Sequence, residues 1–271
     1  GEPAHSISAL DRGLHYGDGL FETITCCGGR PRFLALHLDR LTESCRRLGI
    51  PLEDPSVVRA EVESLASRQD RSVVKVIISR GEALLRGYSY TGSEKPTRIS
   101  FLFGMSERED DAVEKGVRVL TSSIRLGESP ALAGMKHLSR LEQVIARAQL
   151  RGQDASELLM YSSSGKLISG SMGNVFLVRE GRLRTPRVDL CGVAGVMRRV
   201  VLREAARAGI DVEECELGPA DVQSADELFL TNARIGIWPV TAVDSRTLPI
   251  GEITRRVQKL LAPLLAEAHD A

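Results

Sequence analysis

Three short segments carry residues able to do chemistry. Lys136 stands in Gly134-Met135-Lys136-His137-Leu138-Ser139-Arg140-Leu141-Glu142, a loop that leads into a helical pattern, and is one of few lysines among many arginines. In a partly dry pocket a lysine loses its proton and serves as nucleophile or base; otherwise it is a solvated charge. In Cys191-Gly192-Val193-Ala194-Gly195-Val196-Met197 two glycines precede a run of good helix formers. Backbone N–H groups at Val196 and Met197 would face outward with the helix dipole behind them, a small phosphate cradle. The same spacing suits an ordinary turn before an ordinary helix. Arg40, in His37-Leu38-Asp39-Arg40-Leu41, falls among the apolar positions of its helix. An arginine that leans inward takes a carboxylate or phosphate partner, whereas a surface one snorkels.

The elements that must hold these residues follow from periodicity. Residues 20–27, 73–79 and 97–104 are short apolar, β-branched runs that read as strands. Residues 34–48 place Leu34, Leu38, Leu41, Cys45 and Leu48 at helical spacing, with Gly49 and Pro51 as the stop. A second helix is expected over 57–67. The polar stretch Ser106–Glu114 reads as a linker, which divides the chain into a small N-terminal α/β domain (1–106), a linker (107–114) and a larger domain (115–271). In the larger part strands are expected at 116–123, 157–161, 174–178 and 227–230. Helices are expected at 138–152, 197–208 (ended by Gly209) and 257–266. Ser163-Ser164-Gly165 reads as a hairpin turn.

Composition excludes several classes of function. Lys plus Arg equals Asp plus Glu, 36 against 36, so a general binder of nucleic acid or anionic membrane is not expected. Aromatics are 4%, too few for a platform that stacks single strands. No apolar run approaches the roughly 20 residues of a membrane span, and no signal pattern opens the chain. The five cysteines, at 26, 27, 45, 191 and 215, lack zinc spacing and read as free thiols of a reducing cytoplasm. The five histidines show no metal-ligand spacing, so no metal is expected. His137 reads as structural. No G-x-x-x-x-G-K-[ST], G-x-G-x-x-G or G-x-S-x-G pattern occurs.

The chain resembles the fold-type IV pyridoxal 5'-phosphate (PLP) enzymes, the branched-chain and D-amino-acid aminotransferase superfamily. The segments that carry the likeness are DRGLHYGDGLFET (11–23), HLDRL (37–41), VVKVIISRGEALLRGYS (73–89), AGMKHLSRLEQVIARAQL (133–150), GNVFLV (173–178), GVAGVMRR (192–199) and TNARIGIWPV (231–240). They occur in the family's order. The 73–89 and 133–150 segments look like its aminodeoxychorismate lyase branch in particular. The resemblance implies an α/β (α+β), two-domain fold of the D-amino-acid aminotransferase type. It implies a cytoplasmic homodimer with the active site between domains. The implied reaction converts 4-amino-4-deoxychorismate to 4-aminobenzoate and pyruvate in folate supply. Lys136 would bind PLP covalently and act as the catalytic base. Arg40, Val196 and Met197 would hold the phosphate, with Asn232 and Ala233 on a further turn beside it. Tyr16, Glu22 and Thr23 would line the pocket, and Arg86 and Tyr88 would lie near the substrate.

One position departs from this pattern. The family carries a Glu five residues before the Asn of N-x-F, where it pairs with the pyridine nitrogen of PLP. Here Ser169 occupies that place, and no acidic residue lies between Glu157 and Glu180. A carboxylate keeps the ring nitrogen protonated; a hydroxyl only hydrogen-bonds it. Transamination should suffer most, and an elimination that makes an aromatic product least. The alternatives left open are an aminotransferase on D- or branched-chain amino acids, a relative with altered or lost activity, and a non-catalytic binding relative.

Overall fold

The computed structural model describes residues 6–52, 54–82, 87–105 and 110–266. These divide into two compact units. The first takes the chain up to Met105 together with Met135–Ser139; the second takes the remainder up to Gly134 and Arg140–Leu265. The expected division assigned Met135–Ser139 to the larger domain. Their backbone instead pairs with residues of the first unit, as described below.

The first unit runs α1 (Arg12–Tyr16), β1 (Gly19–Cys27), β2 (Arg30–Pro31), α2 (Leu34–Leu48), α3 (Pro55–Ala66), β3 (Arg71–Ser79) and β4 (Thr97–Gly104). Its antiparallel sheet has the order β2-β1-β3-β4. Side chains alternate across β1, so Leu20, Glu22, Ile24 and Cys26 point to one face and Phe21 and Thr23 to the other. Leu20, Ile24 and Cys26 pack with Leu34, Leu38, Leu41 and Cys45 of α2 and with Val58, Val62 and Ala66 of α3. Burial of that apolar stripe against the sheet is what makes α2 a stable helix. Gly49, at φ 64, ends it. Asp54 starts α3 by accepting from the Ser56 N–H, with Pro55 in the first turn.

The second unit runs α4 (Asp110–Lys115), β5 (Val117–Leu126), α5 (Leu141–Ala148), β6 (Glu157–Ser162), β7 (Leu167–Gly170), β8 (Asn174–Arg179), β9 (Arg182–Pro186), α6 (Val196–Arg207), β10 (Val212–Cys215), α7 (Pro219–Ser224), β11 (Glu227–Asn232), β12 (Gly236–Val243), β13 (Arg246–Thr247) and α8 (Glu252–Ala266). Its sheet has the order β10-β9-β8-β11-β12-β5-β6-β7, with β13 on β12. Pairs β10–β9, β12–β5 and β5–β6 are parallel, and the rest are antiparallel. Val119, Leu159, Val175, Leu177, Leu228, Leu230 and Val240 form its core.

The structure is mixed α/β, as the sequence implied, with two local corrections. The expected linker contains a helix, α4. The helix expected from 138 begins only at Leu141, because Leu138 donates its N–H to Gly19 of β1 rather than to a helical carbonyl. Among the described residues no helix is long and apolar enough to cross a membrane. All five cysteines are free.

Candidate active site

The start of β1 holds Lys136. The Phe21 N–H donates to the Lys136 carbonyl at 2.9 Å, the Leu138 N–H donates to the Gly19 carbonyl at 2.9 Å, and Leu20 and His137 form the bridge between these bonds. This short pairing keeps the lysine in an extended segment ahead of α5. Its ammonium lies 4.3 Å from the centroid of the half-buried Phe21 ring, and the Lys75 ammonium lies 5.3 Å from the same centroid. Both are cation–π contacts.

On the opposite face of β1, Glu22 is 2% exposed. His37 donates Nδ1–H to Glu22 Oε2 at 2.7 Å. Arg40 donates Nε–H to Oε1 at 2.8 Å and an Nη2 hydrogen to Oε2 at 2.5 Å. His37 and Arg40 are three residues apart on α2 and therefore share a face. Burial alone would raise the Glu22 carboxyl; the Arg40 charge and the His37 bond outweigh it and hold it at about 2. Burial holds His37 below its ordinary value, so the ring is neutral at pH 7. Its Nε2 is buried and has no partner among the described residues, an acceptor ready for a donor.

The inward lean of Arg40 thus meets a carboxylate. Glu22, expected to line the pocket, is instead sealed beneath α2, where it orients Arg40 and His37. Thr23 lies on the Phe21 face, half-buried. Tyr16 and Tyr88 are both exposed and meet edge to face, with ring centroids 5.4 Å apart. Arg86 lies outside the described residues.

In the second unit, the glycine segment before α6 is tied to the approach to Lys136. Gly134 donates its N–H to the Gly192 carbonyl at 3.0 Å, and Ala194 donates to the Gly134 carbonyl at 3.0 Å. The Asn174 side-chain amide, at the start of β8, donates to the Val193 carbonyl at 2.9 Å. Gly195 caps α6 with no side-chain bond to its first turn, while Val196 and Met197 are buried. A Cβ at Gly195 would run into Asn174 Oδ1. The result is a buried helix start whose first N–H groups no side chain caps, the condition for holding an anion.

Asn232 builds the β11–β12 turn that Ala233 continues. Its Oδ1 accepts from the N–H groups of Arg234 at 2.8 Å and Ile235 at 3.0 Å, and its Nδ2 donates to the Met172 carbonyl at 3.1 Å. Ser169 is half-buried on β7, opposite Met160. The strand paired with β7 opens on a buried carboxylate, Glu157, which the sequence marks only as the start of a strand. Glu157 accepts from the N–H groups of Leu158 at 2.8 Å, Ser171 at 3.2 Å and Met172 at 3.1 Å, and from the Ser171 hydroxyl. Arg147 adds an ion pair at 3.4 Å. Glu157 therefore shapes the 171–172 turn. The structural role of Asn174 was also missed; its signal is the polar residue that opens the apolar Val175–Val178 run, in front of the glycine segment.

The family model for amino-transferase class IV matches residues 19–243. Aminodeoxychorismate lyase of Vibrio harveyi is 33% identical over 95% of this chain and 96% of its own length. The crystal structure of 4-amino-4-deoxychorismate lyase from Pseudomonas aeruginosa superposes with a TM-score of 0.93 at 42% identity, covering 98% of this chain and 97% of that one. A hypothetical aminotransferase from Mycobacterium tuberculosis in a PLP-bound form shares the fold at a TM-score of 0.85 and 24% identity, over 97% and 94% of the two chains. On this match of model, relatives and structure, the chain belongs to the class IV aminotransferase family.

Proposed function

We propose that this protein is a PLP-dependent lyase that converts 4-amino-4-deoxychorismate to 4-aminobenzoate and pyruvate, a step in folate supply. The observation that carries the reading is the likeness along nearly the whole chain to a structure named as that lyase.

The residues present fit the cofactor. Lys136 supplies the amine for covalent attachment. The uncapped start of α6 suits a phosphate, taken by the N–H groups of Val196 and Met197. Arg40, oriented by Glu22, would supply a cation for the cofactor phosphate, and Asn232 and Ala233 are assigned to the phosphate side as well. Ser169 would meet the ring nitrogen with a hydroxyl, which hydrogen-bonds but brings no counter-charge. When bound, PLP withdraws electrons from the carbon that bears the substrate amine.

Lys136 Nζ then takes the proton from that carbon. The C–O bond to the enolpyruvyl group breaks and the carbocycle becomes aromatic. Lys136 returns a proton to the departing three-carbon unit, which leaves as pyruvate. Aromatisation supplies much of the driving force, so this elimination tolerates a neutral partner at the ring nitrogen better than amino-group exchange does. Tyr16, Thr23, Arg86 and Tyr88 are assigned to the substrate.

The test is to add PLP, record the visible spectrum, and supply 4-amino-4-deoxychorismate while following 4-aminobenzoate fluorescence and pyruvate. Product formation supports the lyase. Visible absorbance without product rejects it and leaves a PLP enzyme with another amine substrate. An amino acid with 2-oxoglutarate then tests the aminotransferase alternative through formation of pyridoxamine phosphate.

The reading includes a homodimer. Phe101 and Phe103 of the edge strand β4 stack at 5.9 Å and are 40% and 50% exposed, an apolar patch suited to a second copy. Sedimentation of the wild type and of Phe103→Asp tests it: a dimer that becomes a monomer supports the assignment, and a monomeric wild type rejects it. The free thiols favour a cytoplasmic setting.

A further inference from the structure

Two buried arginines in the first unit share one carboxylate. Arg12 and Arg80 are 4% and 3% exposed. Arg12 donates Nε–H to Asp18 Oδ2 at 2.8 Å, and Arg80 binds both Asp18 oxygens, at 2.8 and 3.0 Å. Burial alone would raise the Asp18 carboxyl; the bonds from Arg80 and Arg12 outweigh it and keep it ionised.

The remaining bonds of each guanidinium go to backbone. Arg80 donates to the Gly49 carbonyl at 2.8 Å and the Leu48 carbonyl at 2.9 Å, the C-terminal end of α2. Arg12 donates to three consecutive carbonyls: Gly87 at 3.2 Å, Tyr88 at 2.9 Å and Ser89 at 3.1 Å. Loop carbonyls are ordinarily left to water, because loops run over the surface. Here one rigid fork of donors sets the path of the segment.

The segment so held contributes little to any core. Its one large side chain, Tyr88, is 85% exposed and stands edge to face with Tyr16. The Arg12 guanidinium lies 4.9 Å from the Tyr16 ring centroid, so one residue touches both halves of the aromatic pair. The turn after Tyr16 packs on the lysine segment. Gly17, at φ 66, approaches Ser139 so closely that a Cβ would lie 2.5 Å from Ser139 Oγ.

We infer that Arg12 is a positioning residue for substrate capture: it fixes Gly87–Ser89 so that Tyr88 and Tyr16 form an aromatic edge for a flat six-membered ring. This rests on the lyase reading for its substrate. A lysine at position 12 keeps the charge and loses the fork, since an ammonium cannot span Asp18 and three carbonyls.

The test compares Arg12→Lys, Tyr88→Ala, Tyr88→Phe and the Arg12→Lys/Tyr88→Ala double variant in the PLP-loaded enzyme. Arg12→Lys should raise KM for 4-amino-4-deoxychorismate about tenfold, the scale of one aromatic contact, with kcat changed much less. Tyr88→Ala should do the same, Tyr88→Phe should recover most of the loss, and the double variant should be no worse than either single one. Hydrogen exchange read by mass spectrometry should quicken over residues 87–91 in Arg12→Lys. Additive effects in the double variant, an unchanged KM in Tyr88→Ala, or unchanged exchange over 87–91 would overturn the assignment. The exposed Tyr88 variants keep it falsifiable should Arg12→Lys not fold. A wild type that makes no 4-aminobenzoate rejects the lyase reading instead, and the exchange measurement still decides whether Arg12 holds the segment.

Discussion

Phe21 and Lys136 are joined twice: by the hydrogen bond from the Phe21 amide to the Lys136 carbonyl at 2.9 Å, and by the lysine ammonium over the Phe21 ring at 4.3 Å. The backbone bond sets where the lysine leaves the chain, and the ring meets its far end. The next residue of the strand, Glu22, turns to the other face and organises His37 and Arg40. Two adjacent residues of one strand thus serve the two groups most directly tied to the proposed chemistry.

Lys136→Ala should abolish turnover. A positioned proton-transfer group contributes about 10²–10⁴-fold, and covalent attachment is lost as well. The variant should make no measurable 4-aminobenzoate and should lose the visible absorbance of the PLP-loaded protein. Full activity in it would sink the proposed mechanism.

Ser169→Glu should raise transaminase side activity. A carboxylate beside a titratable nitrogen raises its pKa by about 1–3 units, which restores the charged ring. Formation of pyridoxamine phosphate from an amino acid should increase about tenfold or more. No change would mean that residue 169 does not meet the ring nitrogen.

Stability should fall on the acid side in two steps. His37 titrates below its ordinary 6.5 in the fold, so as pH drops through 6.5 the unfolded chain takes up a proton that the folded one refuses. Glu22 is held near 2 against an ordinary 4.5, so its stabilisation is present above 4.5 and is lost as pH falls from there toward 2. Urea midpoints at a series of pH values should decline through both windows. Glu22→Gln should cost about 3–5 kcal/mol at pH 7, because it leaves a buried cation uncompensated, and should flatten the lower step. A lower step that persists in Glu22→Gln would assign it to another group.

Gly195→Ala should weaken the phosphate site. The added Cβ must displace the Asn174 amide, at the expense of its bond to the Val193 carbonyl. One such bond is about 1 kcal/mol, so PLP affinity should drop roughly five- to tenfold with α6 otherwise intact. Equilibrium titration with PLP reads this directly, and unchanged affinity would remove the α6 start from the phosphate contacts.

Much of this was legible in local pattern. The Leu34, Leu38, Leu41, Cys45 stripe predicted α2, and all four of those residues are buried. The short apolar, β-branched run at 20–27 predicted β1. Two glycines ahead of good helix formers marked where α6 starts. These are readable because helix and strand periods repeat over a few residues. Short elements such as β2, β7, β9 and α1 were not, since a few residues carry too little periodicity to stand out.

The sequence by itself singled out candidates for chemistry: a lysine among arginines, a glycine pair at a helix start, an arginine among the apolar positions of its helix, and a serine where the family resemblance implies an acid. Only the tertiary structure decided how they are held. Pairing with Gly19 kept Leu138 out of the helix expected to start there, because a strand edge with unmet hydrogen bonds competes with the first helical turn. Burial of Glu22 beneath α2 turned a pocket candidate into the carboxylate that Arg40 and His37 require. Arg12, far in sequence from residues 87–89, became their anchor. Long-range partners depend on which faces meet, and no local spacing encodes that.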